Sequence, residues 1–460
     1  MKLTILGAAG VRTPLVLRSI IARQQRIGLM ELALMDVDAE RLKLIRALCE
    51  PLLADERVTF KTLWTQDARE AIRGAEYVIT TFRVGGMESR VIDEQVPLKY
   101  GVLGQETTGP GGFAMALRTI PIVLEYVQMV REEAPGAWFL NFTNPAGIVT
   151  EAIFKVGGYR RVVGICDNPA AMWRTAAMVL KVPPSDLLLE YFGLNHLGWV
   201  RAVYHNGVDR LPEIMQYLAA HPDVDLPGLP SLPADYIRLL GLLPNEYNFF
   251  YYATQQAVGN LQRAGQSRAQ QIMPFNVELY RTLSRMYDQG AAPEEMQAVY
   301  VEYLIKRHET YMSLETGHRH KLPELPQQAS EMEEAAEGYS GVALGVIEAL
   351  QGKAGAMILN VPNEGAIAGM AEDDVVEVTC YLGQGTVRPL AMGAIPDHAL
   401  GLMKRVKEYE RLTIQAAVEH SYELALKALS LHPLVPSFEV ARAILEDYRE
   451  QHGAYFPLLA

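Results

Sequence analysis

Cysteine is scarce in this chain: only Cys49, Cys166 and Cys380 are spread over its 460 residues. Three thiols so far apart exclude a disulfide framework, and their spacing contains no CxxC pair of the kind that binds structural zinc. We therefore expect a protein of a reducing compartment. Each thiol is then free either to pack as a small apolar residue or to serve as a ligand.

Positive charge is also in short supply, because 42 Lys and Arg face 54 Asp and Glu, for a formal net charge of −12. Nucleic acids and anionic membranes bind clustered Lys and Arg, so neither is expected as a partner. The N-terminal segment also lacks a long apolar run. The opening segment, MKLTILGAAGVRTP, is broken by glycine and arginine before it reaches the length of a signal sequence or membrane span. We expect a cytoplasmic protein that binds a small molecule.

Short apolar runs alternate with helical patterns through the first part of the chain. The runs cover residues 3–6, 32–35, 77–82, 138–142 and 162–166. Strands that alternate with crossover helices, and that are apolar throughout, predict a parallel sheet covered on both faces. The sequence therefore predicts an α/β fold.

Two domains are predicted. Residues 1–195 are expected to form a Rossmann-like doubly wound parallel sheet that binds NAD. Residues 196–460 are expected to form a second, mostly helical α+β domain for substrate binding and oligomerisation, because residues 270–313 and 400–450 carry helical periodicity. Residues 205–245, rich in Pro, Gly and Asp, indicate a connection or an excursion of the chain.

A glycine-containing loop follows the first predicted strand. Gly7 and Gly10 leave backbone amides free, and Thr13-Pro14 is read as an N-cap followed by proline at the first helical position. Such amides at a helix N-terminus bind pyrophosphate, although a plain tight turn explains a loop without strict GxGxxG spacing about as well. Asp36, which ends the second strand, would bond the ribose hydroxyls and repel a 2′-phosphate, so NAD is favoured over NADP.

Cys166 and His196 each close a short segment, GICD and GLNH, downstream of this loop. Taken singly, each is more often a buried structural residue than a ligand. Both neighbour polar residues at edges of the predicted sheet, where open α/β sheets bind their ligands. A thiolate and an imidazole together predict a divalent-metal site with positions left open for substrate. Asn144, in TNP, is a candidate for binding a hydroxyl, or else the cap of the next helix.

Two further segments have both a functional and a structural interpretation. The loop at residues 104–112, GQETTGPGG, carries Glu106 and suits either close approach to a cofactor or simple helix capping. The aromatic run NEYNFFYY begins at Asn245 and contains Tyr247. Core packing explains such a run, whereas a catalytic base would need a metal or cation to lower the tyrosine pKa.

Four basic residues are not chosen from their local sequence alone. Arg90, in GGMESR, and Arg268, in GQSR, would be solvated surface charges by default. His318 and His320, in GHRHK, alternate as metal ligands do, but their polar surroundings favour a surface position.

Together these segments resemble the NAD- and divalent-metal-dependent glycosidases of family 4, which do not use two carboxylates. The likeness covers nearly the whole chain and is carried by ILGAAGVRTP, FRVGGMESR, LKYGVLGQETTGPGGFAMALRTIP, NFTNPAGIVTEA, GICDNP, GLNHLGW, NEYNFFYY with SRAQQ after it, LNVPNEGAI and ARAILEDY. The 6-phospho-β-glucosidases are the most similar subgroup, because FRVGGMESR and NFTNPAGIVTEA resemble their versions.

The resemblance implies a role for each candidate residue. Cys166 and His196 would hold Mn²⁺, Tyr247 would be the base, and Asp167 resembles the acid of α-acting members. Arg90 and Asn144 would contact the sugar and Arg268 its 6-phosphate. The NAD-binding residues implied are Gly7, Gly10, Thr13, Asp36, Arg83 and Glu106. The family also implies a homodimer or homotetramer.

The implied chemistry explains why a hydrolase would carry a dehydrogenase domain. NAD⁺ removes hydride from C3 of the sugar, and a metal-polarised ketone makes the C2 proton acidic enough for a tyrosine to abstract. The aglycone is eliminated from C1, water adds, and the hydride returns to C3. The cofactor is not consumed.

Two departures from the family pattern keep alternatives open. Ala8 and Ala9 stand where the family usually has glycines and a serine, and Asp167 stands where β-acting members usually have asparagine. A 6-phospho-α-glucosidase, or a hydrolase of unphosphorylated glycosides, therefore remains possible within the family. Outside it, the residues also fit a simple NAD-dependent dehydrogenase of a hydroxy acid or polyol, or a non-catalytic nucleotide sensor.

Overall fold

A computed structural model describes residues 1–222, 224, 226–317, 339–457 and 459. His318 and His320, expected at the surface, lie outside the described residues. The strands are β1 Lys2–Leu6, β2 Glu31–Met35, β3 Lys61–Thr65, β4 Tyr77–Thr80, β5 Trp138–Asn141, β6 Val162–Gly164, β7 Leu187–Leu194, β8 Leu197–His205, β9 Val208–Asp209, β10 Leu243–Pro244, β11 Gly355–Pro362, β12 Val375–Gly383 and β13 Thr386–Pro389.

The α-helices are α1 Thr13–Arg23, α2 Ala39–Leu53, α3 Ala68–Ile72, α4 Gly86–Lys99, α5 Pro110–Glu133, α6 Ala146–Lys155, α7 Asn168–Leu180, α8 Leu211–Ala220, α9 Ala234–Leu240, α10 Phe249–Tyr252, α11 Thr254–Ala264, α12 Arg268–Asp288, α13 Pro293–Glu309, α14 Ser313–Thr316, α15 Tyr339–Leu350, α16 Asp397–Glu419, α17 Tyr422–Leu431 and α18 Phe438–His452. Short 3₁₀ turns cover Pro184–Asp186, Glu246–Asn248 and Gly453–Tyr455.

The first six strands form a parallel sheet in the order β3-β2-β1-β4-β5-β6. This is the order of dinucleotide-binding folds, in which the strand order reverses between β1 and β4. Side chains alternate between two apolar cores: Leu32 and Leu34 pack on one face of the sheet, Ala33 and Met35 on the other. The predicted doubly wound α/β fold is confirmed.

The second half of the chain extends the same sheet instead of building a separate one. Antiparallel β11 pairs with β6, and β12, β7, β8 and β10 follow in that order. The hairpin of β7 and β8 spans the predicted boundary at residue 195, which stays a prediction. The helices expected over residues 270–313 and 400–450 are present as α12, α13 and α16 to α18.

The structure differs from the sequence-based expectations at three places. Helix α1 begins at Thr13, with Arg12 rather than Thr13 at the N-cap, and Pro14 lies one position later than predicted. Asn144 does not cap α6, because Pro145 occupies that position in an extended conformation. Strand β3 was not predicted, since its sequence KTLWT has no continuous apolar run and lies half-exposed at the sheet edge.

Helix α5 is, among the described residues, the one helix long and apolar enough to cross a membrane by length and composition. Within its most apolar stretch, 61% of the residues are buried inside the protein. The helix also carries Arg118, which pairs with Asp93 of α4 through two 2.7 Å hydrogen bonds. Both side chains are fully buried, and His452 Nε2 lies 3.0 Å from the same carboxylate. This charge cluster joins α4, α5 and α18.

The buried Asp93 should be critical for stability. We expect Asp93→Ala to lower the free energy of unfolding by about 3–5 kcal/mol, because the substitution leaves the Arg118 charge buried without its partner. The shift of the urea unfolding midpoint measures the effect. Asp55→Ala is the control, since Asp55 pairs with Arg57 at the surface and its loss should leave the midpoint unchanged. Equal midpoints for the two variants would contradict the prediction.

Candidate active site

The two predicted metal ligands meet at the carboxyl edge of the sheet. Cys166 follows β6, and His196 lies in the two-residue turn between β7 and β8. The Cys166 Sγ and His196 Nε2 atoms are 3.5 Å apart. Cys166 is 8% and His196 6% exposed. Two residues thirty positions apart in sequence thus present a sulfur and a ring nitrogen to one small space.

Three features fix the position of the His196 ring. Its backbone has a φ of +62°, in the left-handed region that non-glycine residues seldom adopt. Its Nδ1 lies 2.7 Å from the Thr107 hydroxyl oxygen. The Tyr247 ring stacks on it, with centroids 3.5 Å apart and planes 3° apart. An Nδ1–H that donates to Thr107 leaves the Nε2 lone pair directed at Cys166, as metal-binding histidines require.

Of the two side chains, His196 has the charge state of a metal ligand, whereas Cys166 would have to lose its proton when a cation binds. Burial lowers the pKa of His196 to about 4, so the imidazole is neutral, as a ligand must be. Burial, with Glu377 and Asp167 adding to it, raises the pKa of the Cys166 thiol, whereas the Asn168 backbone amide acts in the opposite direction. No cluster of three or more His, Cys, Asp or Glu suited to a metal occurs in the part of the chain that the structure describes. A metal held by Cys166 and His196 would keep coordination positions for substrate.

A buried carboxylate supports the turn that carries His196. Glu377 of β12 accepts hydrogen bonds from Tyr191 Oη at 2.7 Å, Asn360 Nδ2 at 2.9 Å and Asn195 Nδ2 at 3.1 Å. Burial raises the pKa of Glu377 to about 7, against the effect of these bonds. Asn195 directly precedes His196 in the chain. The hydrogen bonds to Glu377 therefore stabilise the turn that carries this predicted metal ligand.

The glycine loop lies at the reversal point of the sheet. Gly7 has a φ of +101°, and a Cβ there would approach the Phe82 backbone nitrogen to 2.7 Å, so only glycine fits. A cavity of about 30 Å³ lies between β1 and β4, lined in part by Gly7, Gly10, Thr13 and Thr81. Open α/β sheets bind dinucleotides in this position.

Two acidic residues connect this loop to its surroundings. The Asp36 carboxylate accepts hydrogen bonds from the backbone amides of Ala9, at 2.9 Å, and Asp38, at 3.0 Å. Burial raises the pKa of Asp36. Asp167, half-buried at the N-terminus of α7, lies 3.6 Å from the Arg12 guanidinium of the loop. The nucleotide loop and the Cys166 segment are therefore neighbours.

Three other predicted residues form a charge cluster. Glu106 accepts a hydrogen bond from the Arg83 guanidinium, and its carboxylate lies 3.1 Å from Arg90 Nη1. Burial alone would raise the pKa of Glu106, but the two guanidiniums lower it to about 2. Arg90 is itself buried, and its Nε donates to Glu94 at 2.7 Å.

Arg268 lies in the same region, buried at the start of α12. Its guanidinium donates to the carbonyl of Thr310 at 2.7 Å and to that of Arg307 at 2.8 Å. Burial lowers the pKa of Arg268 to about 10, and the charges of Arg90 and Arg307 act in the same direction. It still carries its charge at neutral pH. Glu315 faces this group, and burial raises its pKa to about 7.

The cluster contains more cations than anions. Its basic members are Arg83, Arg90, Arg268 and Arg307, and its acidic members are Glu94, Glu106 and Glu315. Protonation of Glu315 increases the excess of positive charge. Such a group, largely removed from water, is suited to bind an anion.

The aromatic run divides between core and site. Phe249 and Phe250 are buried in the core, whereas Tyr247 is half-buried against His196. Its Oη lies 3.2 Å from Tyr311 Oη. Burial, followed by Glu246, raises the pKa of Tyr247, so a base at this position would need a cation beside it. Tyr252 instead accepts the Trp199 indole N–H at 3.1 Å.

Asn144 follows β5 at the edge where Cys166 follows β6. Register pairs Asn141 of β5 with Gly164 of β6, so the segments after them run side by side. The Asn144 side chain is half-buried. Its position is compatible with the predicted contact to a hydroxyl.

Several residues of the site were not found from sequence. Thr107 lies in the glycine-rich loop that was singled out, but its bond to His196 joins residues 89 positions apart. Glu94, Arg307, Glu315 and Glu377 carry no local signal, because a charged residue in a helix or strand reads as a solvated one until the fold buries it.

Comparison with known proteins gives matches over nearly the whole chain. The family 4 glycosyl hydrolase model matches residues 2–182, and the model of the family's C-terminal domain matches residues 191–435. A 6-phospho-β-glucosidase of Escherichia coli is 32% identical over 100% of this chain and 97% of its own length.

Two solved structures are similar over the whole chain. The 6-phospho-β-glucosidase of Thermotoga maritima, solved with manganese, NAD⁺ and glucose-6-phosphate, has a TM-score of 0.82 at 30% identity, with 100% of both chains covered. A 6-phospho-α-glucosidase from gut microorganisms, solved with NAD and glucose-6-phosphate, has a TM-score of 0.83 at 27% identity, covering 100% of this chain and 99% of that one. By these matches the chain belongs to family 4 of the glycosyl hydrolases.

Proposed function

We propose that this chain hydrolyses 6-phospho-β-glucosides with the help of NAD and a divalent metal, manganese. The approach of Cys166 Sγ to His196 Nε2, 3.5 Å apart and next to the nucleotide loop, is the observation that carries the proposal. The similarity to 6-phospho-β-glucosidases over the whole chain supports the substrate class.

The chain offers each cofactor a distinct set of groups. Cys166 and His196 would hold the metal. For NAD, Gly7, Gly10 and Thr13 line the cavity between β1 and β4 and would bind the pyrophosphate, Asp36 would bind the ribose, and Arg83 and Glu106 would contribute from the charge cluster. Bound together, the cofactors supply a reversible hydride acceptor and a Lewis acid that makes a neighbouring C–H acidic.

Tyr247 is assigned to take the proton from C2 of the sugar. Its ring covers the His196 imidazole, so a sugar that reaches the Cys166–His196 pair also reaches the phenol. Asp167 is assigned to protonate the leaving group, because it is half-exposed and directly follows Cys166. Asn144 and Arg90 would orient the sugar hydroxyls.

The 6-phosphate is assigned to Arg268 and the charge cluster around it. A phosphate carries up to two negative charges, and the excess of buried guanidiniums supplies compensating charge where water screens little. Arg268 donates to the carbonyls of Thr310 and Arg307, so phosphate would share or replace these bonds.

A 6-phospho-α-glucosidase is the second candidate. Asp167 favours it, because this residue resembles the acid of α-acting members, and a relative of that activity is equally similar in fold. We further propose that the protein works in the cytoplasm as a homodimer or homotetramer.

Hydrolysis of synthetic substrates tests the function. With NAD⁺ and Mn²⁺, we expect release of nitrophenol from 4-nitrophenyl 6-phospho-β-glucoside, with no net NADH at 340 nm because the hydride returns to the sugar. The α-anomer and the unphosphorylated β-glucoside serve as comparisons. Faster hydrolysis of the α-anomer would reverse the anomeric assignment, and steady accumulation of NADH would indicate a dehydrogenase instead.

Removing the thiol should remove the metal. We expect Cys166→Ser to lower Mn²⁺ affinity by roughly 10- to 100-fold or more, the range found when groups that define a metal site are altered. Titration of Mn²⁺ followed by electron paramagnetic resonance measures the affinity. Cys49→Ala is the control, since Cys49 is a buried thiol of α2 remote from the site. Unchanged Mn²⁺ affinity in Cys166→Ser would show that the metal binds elsewhere.

Exchange at C2 identifies the base. In D₂O with both cofactors, wild-type protein should exchange the C2 hydrogen of a substrate analogue, and Tyr247→Phe should slow exchange by about 10²–10⁴-fold, the usual contribution of a general base. Tyr252→Phe should exchange at the wild-type rate, because its hydroxyl is engaged with Trp199. Nuclear magnetic resonance of the C2 signal gives the rate, and normal exchange in Tyr247→Phe would exclude this tyrosine.

A further inference from the structure

Glu94 is a buried carboxylate that connects the two elements carrying Arg90 and Arg268. It is 1% exposed. Its Oε1 accepts from Arg90 Nε at 2.7 Å, within α4. Its Oε2 accepts from the backbone amide of Ala269 at 2.6 Å, in the first turn of α12 and next to Arg268. One side chain thus fixes a guanidinium on one helix and the start of another.

The bond to α12 is favourable for a physical reason. The first amides of a helix have no partner within it, and they form the positive end of the helix dipole. Ser267 and Gln270 satisfy two groups at this end through a capping box, and Glu94 satisfies the Ala269 amide. Since a carboxylate is the preferred acceptor there, the helix start is held against α4 by a charge-assisted bond.

Glu94 is unsuited to act on a substrate itself. Both carboxylate oxygens are occupied, and the side chain has almost no accessible surface. Its effect must therefore pass through the residues that it holds. Arg90 faces the charge cluster through Glu106, and Arg268 is anchored there through Thr310 and Arg307.

We infer that Glu94 is a positioning residue that sets the distance between the sugar contact at Arg90 and the phosphate contact at Arg268. This inference rests on the proposed function. A fixed spacing of two buried guanidiniums selects ligands whose phosphate lies at one distance from the sugar ring, so Glu94 contributes to the preference for 6-phosphorylated sugars.

Glu94→Gln is the sharpest test. Its amide keeps the size of the side chain but has one acceptor oxygen, and its nitrogen would face either Arg90 Nε or the Ala269 amide, donor against donor. We expect kcat/KM for 4-nitrophenyl 6-phospho-β-glucoside to fall roughly 10- to 100-fold, the scale of a misplaced binding group. Affinity for glucose-6-phosphate should fall with it, whereas affinities for NAD⁺ and Mn²⁺ should stay within about twofold. Glu94→Asp, too short to reach both partners, should behave similarly if the glutamine variant does not fold.

A matched control separates positioning from loss of a buried bond. Glu151 likewise accepts from a cation, Lys407 Nζ at 2.7 Å, and from a backbone amide, that of Val375 at 2.9 Å, while its other oxygen lies 3.2 Å from Lys155 Nζ. It is fully buried on α6, and these partners lie outside α4 and α12. Glu151→Gln should lower stability and leave kcat/KM per folded molecule near the wild-type value.

A double-mutant cycle provides the decisive comparison. In an Arg90→Ala background, Glu94→Gln should reduce kcat/KM by less than in the wild type, because one of its two routes is gone. Additive effects, wild-type kinetics in Glu94→Gln, or an equal loss in Glu151→Gln would overturn the inference.

Calorimetry of glucose-6-phosphate binding tests the positioning role of Glu94 separately from the proposed hydrolysis. A wild-type protein that binds this ligand but does not hydrolyse the aryl substrate would refute the glucosidase, while weaker binding in Glu94→Gln would still support the positioning role. Equal binding by the two proteins would overturn it.

Discussion

The approach of a sulfur at the end of β6 to an imidazole in the β7–β8 turn is the constraint on which the site depends. It requires an antiparallel extension of the parallel sheet, a left-handed backbone at His196 and a hydroxyl at Thr107 to orient the ring. The first two of these features lie outside the nucleotide-binding unit, whereas Thr107 belongs to the loop before α5 within it. The extension thus contributes as much to the chemistry as the dinucleotide fold does.

Buried charge is used in two different ways around this centre. Asp93 and Arg118 are fully enclosed and join three helices, so their role is structural. The charge cluster around Glu106 and Arg268 is largely removed from water and holds four guanidiniums against three carboxyl groups. The first arrangement balances its own charge, whereas the second retains an excess of positive charge, as a site for an anion requires.

The sequence predicted the parallel half of the fold well, because apolar runs with alternating faces determine strands buried on both sides. The polar neighbours of Cys166 and His196, at the ends of predicted strands, also indicated that the two side chains share one site. It did not predict the edge strand β3 or the partners Glu94, Arg307 and Glu377. Strand β3 is half-exposed, and the three charged residues become recognisable only when distant elements enclose them.

The sheet order also has a consequence for how the protein is made. Strands β11 and β12, built from residues 355–383, lie between the strand that precedes Cys166 and the strand that leads to His196. During synthesis the dinucleotide unit can therefore fold before β11 and β12, which separate the two strands of the cation site, have been made. Contacts between distant parts of a chain form late, since closing long loops is entropically unfavourable. A nascent chain would acquire its nucleotide pocket first and its affinity for metal only near completion.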